Sequence, residues 1–140
     1  MPASVAVSNI VIKNNVFAYF PSIAIVEDGD FNMWNGRMVL DLNDWFRAGS
    51  PAKVRRWSPA SLDKPLSQWA LNFGAEQHGL EADPVFVNPG IGDVHLAQGS
   101  LLINAGANLI NAGVVLEFDR NPRPATGAFD IGAFQHLAAT

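Results

Sequence analysis

The chain has 140 residues, 49% of them hydrophobic and 16% charged, with a formal net charge of −4. That composition supplies one domain with a buried core and lacks the basic surplus of a nucleic-acid binder. Cysteine is absent, which excludes disulfide scaffolds and Cys-ligated metal centres, and no run approaches the ~18 consecutive apolar residues of a membrane helix.

The opening "MPASVAVSN" has no basic segment followed by a long apolar run, so it reads as no signal peptide. Residues 4–26, "SVAVSNIVIKNNVFAYFPSIAIV", carry the clearest strand signal. Val5 and Val7, Ile10 and Ile12, and Ile23 and Ile25 alternate with small or polar residues, a period of two in short bursts. Such short strands, with hardly a hairpin turn between them, suit stacked coils better than a sandwich. Asn14-Asn15 is expected at a corner, one residue left-handed and the other bonding the backbone of the bend.

Residues 27–64 mix Asp, Asn, Gly and Pro with Trp34, Trp45 and Trp57, and read as a loop-rich insertion with one or two extra strands around "RMVLDL". Residues 65–74 predict a short helix: Leu66, Trp69, Ala70 and Phe73 fall at helical spacing, Pro65 suits a first turn and Gly74 a C-terminus. From residue 79 to 136, "VFV" and "VHL" are expected strands, with turns at Asn88-Pro89-Gly90 and Gly92-Asp93. Asp83 is expected to cap the N–H groups that follow it.

The segments "ADPVFVNPGIGDVHLAQGSLLINAG" and "DRNPRPATGAFDIGAFQ", with the lead-in "LSQWALNFGAEQHGLEADP", resemble the C-terminal region of right-handed parallel β-helix proteins of the pectate-lyase-like superfamily. "NIVIKNNVF" is similar to one of the repeated rungs of that fold. The chain departs from the pattern at Leu101, where the family has Pro, at Asn104, where it has Asp, near Arg120-Asn121, where it has Gly, and at Gln135, where it has Glu. The resemblance implies an all-β chain: a short right-handed parallel β-helix of about three coils, with a loop-rich insertion, one short helix and a C-terminal cap. Residues 1–140 are then a single domain or the C-terminal fragment of a longer β-helix. In the cap, Phe129, Ile131 and Phe134 would bury against the last coils, with Asp130 bonding turn amides or Arg123.

The same resemblance implies a carbohydrate-active protein, a glycoside hydrolase or polysaccharide lyase acting on a polysaccharide. The alternative is a non-catalytic carbohydrate-binding or capping module. Glu27, Asp28 and Asp30 follow one apolar burst, and Asp41 and Asp44 the next, so carboxylates on neighbouring coils can serve as general acid and base. The competing reading is a solvated Glu-Asp-Gly-Asp turn. Ca²⁺ is possible at this cluster through oxygen ligands, though the EF-hand spacing is missing; otherwise no cofactor is expected. Trp34, Trp45 and Trp57 would stack on sugar rings while Arg37, Arg47 and Arg55 pair with uronic carboxylates, or the indoles pack beneath their own loops. Lys53, Arg55 and Arg56 are the clustered candidates for a lyase base. His78, His95 and His136 share no metal-ligand spacing and read as structural. Expected partners are a polysaccharide and either further copies of the chain or the remainder of a longer one, with no nucleic acid or membrane. The parent would be extracellular or periplasmic.

Overall fold

The computed structural model describes residues 9–20, 25–27, 38–56 and 62–136. Three short strands, β1 (Ile10–Lys13), β2 (Val16–Ala18) and β3 (Ile25–Glu27), pair in parallel with three later ones, β4 (Met38–Asp41), β5 (Asp44–Phe46) and β6 (Lys53–Arg56). Ile10 faces Met38, Val16 faces Asp44 and Ile25 faces Val54. Between β1 and β2 the chain bends at Asn14, whose φ is +58°, and between β4 and β5 it bends at Leu42, whose φ is +59°. Asn14 N–H donates to Leu42 C=O at 3.0 Å, so the two bends stack. Asn15 Nδ2 donates to the Lys13 carbonyl across its own bend.

Beyond β6 no further parallel strand is added among the described residues. β7 (Leu62–Pro65) turns back antiparallel to β6. Pro65 has no N–H to continue a ladder and stands at the N-cap of helix α1 (Leu66–Phe73). The helix ends at Gly74 in the left-handed conformation, whose N–H bonds the Ala70 carbonyl. The last pair, β8 (Phe86–Asn88) and β9 (Asp93–Leu96), is an antiparallel hairpin joined by a 3₁₀ turn at Pro89–Ile91 and by Gly92 at φ +85°.

These pairings overturn the expected parallel β-helix. Among the described residues the sheets are two-stranded, one extended to three strands by β7, and none is closed or runs on as a solenoid. A third layer pairs with β4 and β5 by one parallel bridge, Asp44 to Leu80, and by backbone bonds from Glu76 N–H to Leu40 C=O and Leu80 N–H to Asn43 C=O, without forming a further strand. The segment read as an insertion, 27–64, instead supplies β4, β5, β6 and most of β7. Asn43 and Gly49 lie between these strands of three or four residues, while Asp41, Asp44 and Asp63 lie within them, so turn-forming residue types here do not mark a loop.

Two apolar clusters result. Leu40, Trp45, Ala52 and Leu66 are buried together, with Ile12, Phe17, Phe20 and Ala75 against them. Leu96, Leu102 and Ile131 form the second, joined by Val16, Leu80, Ala82 and Phe86. Val16 and Leu80 thus present the strand pairs to the C-terminal segment. Gly132 N–H bonds the Asn14 carbonyl at 2.9 Å, and Asn14 exchanges two side-chain hydrogen bonds of 2.8 Å with Ala107. Gly106 makes that contact possible, since a Cβ there would sit 2.8 Å from the Asn14 amide.

Candidate functional site

A groove of about 460 Å³ lies on this seam, in the size range of small-molecule sites. Val16, Leu96 and Ile131 contribute an apolar floor from the second cluster, and Tyr19, Phe86 and Phe134 bring aromatic rings to it. Every described residue lining it is uncharged; its polar side chains are Asn14, Asn15 and the hydroxyl of Tyr19. Tyr19 is 54% exposed, standing edge-on to Phe46 at 5.7 Å and tilted to Phe86 at 6.4 Å.

Two of these rings are held by strained backbone. Tyr19 has φ +61° and Val85, next to Phe86, has φ +51°. A left-handed conformation is unfavourable for a bulky or β-branched residue. Val85 is secured by its N–H to Asp83 Oδ1 at 2.9 Å and by its carbonyl, which accepts from Ala97 N–H at 2.8 Å. Asp83 therefore caps the turn as its sequence position suggests. Near the opposite wall, Arg123 donates to the carbonyls of Gly132 and Ala133. Asp130 is fully buried and accepts from Asn104 N–H, Gln135 Nε2 and His136 N–H. Its partners are amides, while Arg123 goes to carbonyls and Gln135 Oε1 instead.

Phe134 links the groove to a second, acidic cavity of about 340 Å³ lined by His95, Glu117 and Asp119. The Phe134 ring lies 3.9 Å from His95 and 5.4 Å from Phe118, centroid to centroid. His95 Nδ1 is 2.7 Å from Asp93 Oδ1, and its Nε2 is 2.9 Å from Asp119 Oδ2. The Asp93 and Asp119 contacts raise the imidazole pKa above its ordinary value, while His95 holds Asp93 below the usual carboxylate range. Among the described residues no group of three His, Asp or Glu side chains is placed to hold a metal ion.

Of the candidate catalytic carboxylates Glu27, Asp28, Asp30 and Asp44, Asp44 is the one whose side chain is described, and it does not line this groove. Asp44 is fully buried in β5. Burial pushes its carboxyl up to about 7, against the pull of the Ala82 N–H that Oδ1 accepts at 2.9 Å. Oδ2 has no hydrogen-bond partner among the described residues. Enclosed in this way, Asp44 cannot reach a polysaccharide. Glu27 ends β3 in register with Arg56, and Arg55 pairs with Val26; Asp28, Asp30, Trp34, Arg37 and Trp57 lie outside the described residues. Trp45 is only 3% exposed and stacks on Phe17 at 4.0 Å, so the packed alternative, not the sugar platform, describes it. Arg47 lines a separate cavity of about 260 Å³ beside Trp45 and Glu81. Asp41 faces His78, whose ring and backbone N–H each bond it at 2.9 Å. Burial works upward on Asp41, and those two bonds outweigh it, leaving its pKa below the ordinary value.

Sequence reading missed Tyr19 and Phe86 and assigned Phe134 wholly to the cap. Phe129 and Ile131 are fully buried, whereas Phe134 is half-buried and faces both cavities. The one available signal was the single Tyr of the chain, set in "FAYFPS" just after a strand. No family model, curated protein or solved structure matches the chain.

Proposed function

We propose that this chain is a non-catalytic carbohydrate-binding module whose ligand is an uncharged glycan. The observation that carries the reading is the uncharged groove with Tyr19, Phe86 and Phe134 at its walls. Pyranose rings present apolar C–H faces that pack on aromatic side chains, while their hydroxyls find amides and backbone groups. The absence of charge among the described lining residues selects neutral sugars over uronic acids, which the nearby Asp93, Glu117 and Asp119 would repel.

The reading is a binding one because Asp44, the candidate acid whose side chain is described, is locked inside the protein. Calorimetric titration with soluble cello-, xylo- and mannohexaose, alongside oligogalacturonate, tests it. Saturable binding to a neutral oligosaccharide without release of reducing ends is expected. Turnover would restore the hydrolase or lyase reading. Absence of binding across the panel, or preference for oligogalacturonate, would remove the present one.

A further inference from the structure

Both ring nitrogens of His95 face carboxylate oxygens, at 2.7 and 2.9 Å. A neutral imidazole carries one N–H and one lone pair, so it can satisfy only one of them. The imidazolium donates to both. One contact is local, since Asp93 and His95 share β9, and His95 N–H also bonds Asp93 Oδ1. The other crosses to residues 117–121, a turn built around Glu117, whose oxygens accept the N–H groups of Asp119 and Asn121. Burial works upward on Glu117, and those N–H groups outweigh it and hold its carboxyl low. Against His95 also stand Phe134 and, across the acidic cavity, His136, which bonds the Leu96 carbonyl. Arg123 lies close enough to Glu117 to favour its charge, and Asp130 anchors His136 N–H.

We propose that His95 is a proton-operated clasp: when charged it ties β9 to the 117–121 turn, and with the Phe134 ring tilted against it, it holds one wall of the groove. On deprotonation the ring keeps Asp93, two residues away on its own strand, and releases Asp119, whose side chain is 50% exposed and free to turn to water. Residues 117–121 then loosen, and Phe134 loses the edge contact with Phe118, which that turn carries. Because the folded-state pKa of His95 is raised, the clasp is complete below about 6.5, the unfolded value. It is lost as pH rises through the folded value. Coupling to ligand affinity rests on the glycan-binding reading above; the clasp itself does not.

Hydrogen exchange on the whole chain, without ligand, tests the clasp from pH about 5 to about 9, with His95 followed by imidazole NMR signals. Across the His95 titration, amides of 117–121 should lose about tenfold in protection beyond the intrinsic pH effect, while those of β5 do not. His95→Gln should abolish that transition and leave 117–121 open throughout. Asp119→Asn should move the His95 titration to lower pH. Unchanged protection at 117–121 through the titration, or the same transition in His95→Gln, would overturn the proposal. If cellohexaose binds, its affinity should fall about tenfold over the same range, and a pH-independent affinity would sever the link to the groove.

Discussion

The two apolar clusters are enclosed by different means. Around Trp45 and Leu40, parallel pairs β1–β4, β2–β5 and β3–β6 carry backbone hydrogen bonds from strand to strand. Around Leu102 and Ile131 strands are few, and many N–H groups go to side chains: Asn104 and His136 to Asp130, Ala107 to Asn14, Asp119 and Asn121 to Glu117. Backbone donors must be satisfied in either case. The first region relies mainly on repetition, with placed acceptors such as Glu76 for Asn43 N–H and Asp44 for Ala82 N–H at its bends, while the second relies mainly on individually placed acceptors. The second solution leaves an irregular surface, and the groove lies where that surface meets β2.

The contrast predicts which substitutions each region tolerates. The largest effects should come from one residue in each. Trp45→Ala removes the ring stacked on Phe17 and should destabilise by about 3–5 kcal/mol through the cavity left behind. Asp130→Ala should cost a similar ~3–4 kcal/mol for a different reason, since it strands two backbone N–H groups. Urea unfolding measures both, and a near-neutral Asp130→Ala would break the comparison by showing that the second region does not depend on placed acceptors.

Asp44 sharpens the comparison from within the ladder region. Its carboxyl is raised to about 7 in the folded protein and titrates near 3.9 when unfolded. The folded state therefore binds the extra proton, and stability from this group falls as pH rises between those values. Asp44→Asn should remove that slope and stabilise the protein above neutral pH by on the order of 3 kcal/mol. Unfolding midpoints measured across this window in both proteins decide it, and parallel pH profiles would refute the assignment. The smallest effect is at Val85, strained at φ +51°. Val85→Asn should gain about 1 kcal/mol, because Asn tolerates the left-handed conformation. Thermal unfolding would read this, and a loss of stability would mean that the valine side chain contributes more packing than strain.

How much of this was legible depended on how local the cause was. Helix α1 is written in its own ends, Pro65 and Gly74, and β1 in the alternation of Ile10 and Ile12. Asn14 was readable as a corner because few residues other than glycine accept its φ. The partners of β1 and β2 were not legible. Parallel pairing joins Ile10 to Met38 and Val16 to Asp44 across a segment rich in turn formers, and nothing at either position names the other. The terminal "GAFDIGAFQH" conveyed its packing, in that Phe129 and Ile131 are buried, yet its likeness to a β-helix terminus led to the wrong architecture. What distinguishes the two is whether parallel strands continue past Arg56, and there the antiparallel β7 and then α1 take over. The groove was least visible of all, since Tyr19, Phe86 and Phe134 come from three distant segments that share only a final position.

Chemical-shift mapping with the neutral oligosaccharide that binds best tests the central claim most directly. Shifts should concentrate at residues 15–19, 86, 94–96 and 131–134, and Tyr19→Ala should weaken binding at least tenfold, about 1.4 kcal/mol, without lowering the unfolding midpoint. Shifts centred instead on Trp45 and Arg47, or binding indifferent to Tyr19→Ala, would contradict it.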